Sequence, residues 1–326
     1  MLNPPLALLS DDLLAYIVDH VAKSTIPNGD LYNLSLADRA FTRFCQDYIF
    51  KGLHLRYRSV MNNISMSDKL ARMRKILNDE PSFANKVRMV DLNISHKRNG
   101  WLFNDAIFIS IVQLLAKSLI PPYILHLSGS PDPFIFEDPI LVVGRLTQTF
   151  FSQTLTVLRL TACKNVPLTI FLICPGLREI LLHQVEVTEK SYDEYPDGQC
   201  SGRELSAPER LDYRNSASLV KQMIAPPLRF PTGVVLWSKL RVLKLSPHEK
   251  DEMACLQPIL DVACNTLEEL YLTNVQVPAR TGRCSAFYRN EANLTGFSTS
   301  QTTLSQWPRE PQRSVTPARL CALRRH

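Results

Sequence analysis

Two kinds of apolar pattern divide the chain. Near its start, LSDDLLAYIVDHVA (9–22) places Leu13, Leu14, Ile17, Val18 and Val21 at three- and four-residue spacing, which predicts an amphipathic helix. Ser10 is a suitable N-cap, and Asp11 and Asp12 in the first turn suit the helix dipole. Pro27-Asn28-Gly29-Asp30 reads as a turn. A second periodic run, LYNLSLADRAFTRFCQDYIF (31–50), then carries Leu34, Ala37, Phe41, Phe44, Cys45 and Tyr48 on a helical stripe. Two or three helices of this size cannot build a robust core alone.

The second pattern recurs. TLTVLRLTAC (154–163), GLREILLHQV (176–185), KLRVLKLSPH (239–248) and TLEELYLTNV (266–275) all read L-x-x-L-x-L, with Ile180 for one leucine. KVRMVDLNIS (86–95) places Val87, Val90 and Leu92 in the same way, and Leu125/Leu127 and Leu211/Tyr213 are weaker matches. Apolar-polar-apolar alternation at the end of each unit is a strand signature. Between the units run helical patterns, with Ile107, Ile111, Leu114 and Leu115 on one face of 105–119 and Met253, Leu256, Leu260 and Ala263 on one face of 251–263. Strand plus helix at this period is the leucine-rich-repeat plan. One unit cannot bury its own apolar face, so units stack. The irregular spacing predicts a degenerate solenoid. The acidic, Ser-, Gly- and Pro-containing stretch 188–208 predicts an inserted loop.

Composition narrows the function. The chain has 326 residues, 45% of them hydrophobic, and 8 cysteines with no C-x-x-C pair or histidine cluster. No metal-ligand spacing follows, and the unpaired thiols fit a reducing compartment, cytoplasmic or nuclear. The start lacks the features of a signal peptide, and polar residues and Pro121-Pro122 interrupt the most apolar long segment, 101–127, which argues against a membrane span, and no membrane partner is expected. The net charge of +6 lies in 279–326, which holds eight arginines, no lysine and two acidic residues. A folded basic face is therefore not indicated and nucleic acid is a poor candidate partner. The Ser/Thr/Gln/Pro/Arg composition of that tail predicts disorder, whether it is a contact segment or a misassigned gene end. No G-x-S-x-G, glycine-rich phosphate loop, H-E-x-x-H or G-x-G-x-x-G occurs, so neither an enzyme nor a cofactor is expected.

LSDDLLAYIVDHV followed by LYNLSLADRAFTRFCQDYIF resembles the F-box, the helical module that docks substrate receptors on the Skp-type adaptor of cullin-based ubiquitin ligases. LARMRKILNDEPSFANKVRMVDLNIS (70–95) is similar to the helix and first repeat that follow the F-box in many fungal F-box proteins. Ser10 stands where the family usually has proline, and Asp38 where it has cysteine or an apolar residue. The resemblance implies that Leu9, Leu14, Ile17, Val18, Leu34 and Phe41 face the adaptor or support that face.

The expected fold is α/β: an F-box-like helical module over 1–55, an irregular leucine-rich-repeat solenoid over 56–278, and a disordered tail over 279–326. The expected function is the non-catalytic substrate-recognition subunit of a cullin-type (SCF) ubiquitin ligase. Its partners would be the adaptor, through it a cullin, and an unknown protein substrate. That substrate would lie on the polar strand positions Asp91, Asn93, Arg159, Thr161, His183, Lys244, Ser246, Tyr271 and Thr273. The alternative is a leucine-rich-repeat scaffold unrelated to ubiquitin, its first helices serving as a solenoid cap.

Overall fold

The computed structural model describes residues 9–23, 27–56, 66–93, 99–129, 132–136, 142, 144, 151–187, 204–224, 234–246 and 250–272. Thr273, most of the expected acidic loop and the whole arginine-rich tail lie outside them. The chain divides into two compact units, one within 1–51 and the other within 52–275.

The first unit contains α1 (Asp11–Ala22), α2 (Pro27–Ala37) and α3 (Arg39–Ile49). Ser10 caps α1, its Oγ accepting from Leu13 N–H at 3.4 Å. The turn expected at 27–30 is instead the first turn of α2. Proline is tolerated at a first helical position, because an N–H there has no intrahelical acceptor. The run 31–50 is two helices rather than one. It breaks at Asp38, whose backbone is extended and whose Oδ1 accepts from Ala40 N–H at 2.8 Å to start α3. Asp38 is thus an N-cap. Leu14, Val18, Leu31, Phe41 and Cys45 form the small core, packed about by Ile17, Val21, Leu34, Phe44 and Tyr48.

The second unit is a mixed α/β body built on a nine-stranded parallel sheet. Its elements are β1 (Gly52–Arg56), α4 (Met66–Asp79), β2 (Met89–Asn93), α5 (Asn99–Asn104), α6 (Ala106–Ala116), β3 (Ile124–Ser128), β4 (Phe134–Ile135), β5 (Val157–Lys164), α7 (Thr169–Leu172), β6 (Glu179–Val185), β7 (Arg210–Arg214), α8 (Ala217–Ile224), β8 (Val242–Ser246), α9 (Lys250–Ala263) and β9 (Glu269–Leu272). Strand order follows chain order, with β4 set beside β5 off the main path. The first strand was not anticipated and begins inside the span expected for the helical module.

Register explains the sequence pattern. One row across the sheet is Leu53, Val90, Leu125, Leu158, Ile180, Leu211, Leu243 and Leu270. The next inward row is Leu55, Leu92, Leu127, Leu160, Leu182, Tyr213, Leu245 and Leu272. Side chains alternate across a strand, so both rows point into one core, and all are buried except those of the edge strand β9. The first leucine of each hexad (Leu155, Leu177, Leu240, Leu267) is buried just before its strand. Pro122 and Pro208 take that place before β3 and β7, and both are buried. Proline is tolerated there because the position precedes the strand and need not donate to the ladder.

At the other end of three strands the chain turns through one residue with positive φ: Ala162 (49°), Gln184 (56°) and Asn215 (53°). This lets the next side chain (Cys163, Val185, Ser216) drop back into the core, where all three are buried. Cys163 Sγ donates to Leu127 C=O at 3.4 Å, and Ser216 Oγ accepts from Val185 N–H at 3.0 Å. Side chains at this place thus bond to the backbone of the preceding strand in the sheet, satisfying buried polar groups.

Candidate binding faces

The helical unit has an inner and an outer apolar face. Leu14, Val18 and Phe41 are 4%, 0% and 3% exposed, so of the two roles expected for them, facing a partner or supporting that face, they stand in the supporting core. Leu9, Ile17 and Leu34 are half-buried and pack against that core. The accessible apolar surface comes from other residues. Leu13 (51%) and Tyr16 (69%) lie three apart on α1, and Tyr32 (59%) and Leu36 (68%) lie four apart on α2, so each pair shares one helix face. Between α1 and α2 a groove is lined by Val21, Leu34 and Ala37 with His20, Lys23, Asp30 and Asn33 at its polar side.

On the sheet, the positions between the two buried rows point away from the core. Their central row is His54, Asp91, His126, Arg159, Leu181, Asp212, Lys244 and Tyr271. Beside it run Asn93, Ser128, Thr161, His183, Arg214 and Ser246 on β2 to β8, and on the other side Met89, Ile124, Val157, Glu179, Arg210 and Val242. Every expected substrate residue within the described chain stands on this face.

The row is not the uniformly solvated strip that alternation alone would give. Asp91 is only 4% exposed and is held between two imidazoles, His54 Nδ1 at 2.8 Å and His126 Nδ1 at 2.9 Å. Burial by itself would raise its pKa, but the hydrogen bonds from His126 and His54 outweigh it and hold the carboxyl well below its ordinary range. His126 Nε2 lies 3.3 Å from Thr161 Oγ1, so four strands are joined by one polar chain. Further along, His183 Nε2 lies 3.3 Å from Asp212 Oδ1. Burial tends to raise the pKa of Asp212, yet His183, Lys244 and Arg210 lower it. The Lys244 ammonium sits 4.9 Å from the Tyr271 ring centroid, and Tyr271 O–H donates to Glu269 at 2.7 Å.

His54, His126 and Asp212 belong to this face and were missed in the sequence. They occupy the x of L-x-L in the weakest repeats, LHL before Arg56, LHL before Ser128 and LDY before Arg214. Treating those as full repeats would have found them.

Hydroxyl, imidazole and carboxylate stand in the order that activates a nucleophile. Here a second imidazole shares the carboxylate, and the cluster links β1, β2, β3 and β5. Burial pushes the Cys163 and Cys174 thiols up to about 12, so neither offers a thiolate near neutral pH. Among the described residues no three His, Cys, Asp or Glu side chains come together as a metal site, and no helix is long and apolar enough to cross a membrane. No protein-family model matches the chain, and no curated protein matches it.

Proposed function

We propose that this chain is a non-catalytic substrate receptor of a cullin-type ubiquitin ligase: an F-box-like helical unit followed by a degenerate leucine-rich-repeat solenoid. The observation that carries the reading is the pairing of two separately compact units of opposite character. One is a small helical trio that leaves Leu13, Tyr16, Tyr32 and Leu36 exposed. The other is a chain-ordered parallel sheet whose non-core face presents a row of polar side chains. Supporting it, Ser10 and Asp38, the two departures from the F-box pattern, both serve as helix caps and so are compatible with the helical module.

In this reading the exposed face of α1 and α2 docks on a Skp-type adaptor, and the non-core sheet face holds a protein to be ubiquitinated. No bond is made or broken by the chain itself. It raises the effective concentration of its substrate near the ligase. The test is a binding titration of the full chain against purified Skp-type adaptor. Binding at about micromolar Kd or tighter is expected, lost in Leu13→Asp and Tyr16→Asp with the helical content unchanged by circular dichroism. A well-folded chain that does not bind would reject the reading and leave the helices as an end cap on a scaffold.

A further inference from the structure

Arg159 stands in the middle of the sheet's non-core face with its own charge unanswered. Both carboxylates of its row are spent elsewhere, Asp91 on His54 and His126 and Asp212 on His183. Arg159 makes no hydrogen bond or ion pair among the described residues, and its Nε is buried without a partner. One strand away, Ser128 is 5% exposed and its Oγ also lacks a partner. A guanidinium stays charged at any physiological pH, and burying its donors unpaired is costly, so an incoming anion gains from a desolvation already met.

The surroundings restrict that anion. Next to Arg159, on the same face, lie Val157, Ile124 and Met89, buried to half-buried apolar side chains, with Leu181 beside Arg159 and Glu179 beside Val157 on the next strand. Val157 and Arg159 are two residues apart, so their side chains stand about 7 Å apart along the strand. An extended ligand chain repeats its side chains at the same distance. Arg210, two strands away on the same face, likewise has a buried Nε without a partner, and the flat fork of Arg159 matches a carboxylate with two parallel hydrogen bonds.

We infer that the non-core face takes an extended segment of a partner protein in which an aspartate or glutamate is followed or preceded two residues away by an apolar side chain. The carboxylate sits on Arg159 and the apolar group on Val157 and Ile124. This names the substrate chemistry of the face and rests on the reading that the face holds a protein. The adaptor titration probes α1 and α2 alone, so the two can fail separately.

The experiment is selection of a random dodecapeptide phage library on the immobilised full chain, followed by solution titration of the selected peptides. Enrichment of Asp or Glu with an apolar residue two positions away is expected. Replacing that acid by its amide should weaken binding at least about tenfold, and Arg159→Met should remove the difference between acid and amide. Arg159→Lys, which keeps the charge but not the fork, should keep part of it. The acid-to-amide comparison needs no variant, so a misfolded Arg159→Met does not blunt the test. The inference is overturned if no acidic preference emerges, if the preference survives in folded Arg159→Met, or if phosphoserine in place of the acid binds more tightly.

Discussion

The helical unit and the sheet solve the same problem with unequal means. The first encloses five side chains, Leu14, Val18, Leu31, Phe41 and Cys45, and leaves four large apolar ones outside. The second lays two continuous apolar rows across eight strands and adds the leucines before each strand and the residues that drop back after it. A core as small as the first is marginal, and a partner that covers Leu13, Tyr16, Tyr32 and Leu36 would supply apolar burial it lacks. The sheet has a far larger core of its own. Its outward face can instead hold buried charge, as at Asp91.

The largest way to break that comparison is to truncate each core. Phe41→Ala should cost about 3–5 kcal/mol, enough to unfold the helical unit while the sheet keeps its own transition. Leu182→Ala should cost about 2–5 kcal/mol from the sheet and leave the helices in place. Hydrogen exchange resolved by peptide distinguishes the two; a single shared transition would show that the units are not separate.

Asp91 tests the outward face. Its folded pKa lies below the unfolded value, so the stability it contributes is present above about pH 4 and is lost as pH falls below that. The urea midpoint of the sheet should therefore fall between about pH 4 and pH 2, and Asp91→Asn should reduce that slope. At neutral pH, Asp91→Asn should cost about 1–3 kcal/mol, because two imidazoles lose a charged acceptor. An unchanged midpoint would mean that the cluster contributes nothing to the sheet.

Much of this architecture was legible. The hexads of β2, β5, β6, β8 and β9 stand out because both inward rows and the residue before the strand are apolar. β1, β3 and β7 did not stand out, for local reasons: Pro122 and Pro208 replace the leading leucine, and Leu53/Leu55 follow directly on α3. β3 and β7 were only weak matches and β1 was not anticipated, so His54, His126 and Asp212 were not placed on the polar face and the histidine–aspartate cluster was not assembled from sequence. The division of the helical stripe into core and surface was also hidden. Spacing shows that a face is apolar, and only packing decides whether Leu13 or Leu14 is the one outside. Asp38 was misleading for a related reason, since a polar residue in an apparently continuous helix reads as a defect until the chain is seen to restart there.

Smaller effects sharpen the same contrast. Asp38→Ala should cost about 1 kcal/mol, the usual worth of an N-cap, and in so small a unit should appear as faster exchange across 39–49. Exchange there equal to the parent's would deny the cap its role. Arg241→Gln breaks the exposed fork to Glu268 (2.8 and 2.7 Å) and should leave the sheet's unfolding midpoint where it was. A measurable drop would mean that this surface pair is coupled to the core.

The most direct test of the central claim is hydrogen–deuterium exchange on the full chain with and without a saturating Skp-type adaptor. Slower exchange is expected in α1 to α3, residues 11–49, strongest around Leu13, Tyr16, Tyr32 and Leu36, with the strands of 52–272 unchanged. Protection confined to the strands, or none anywhere, would contradict it.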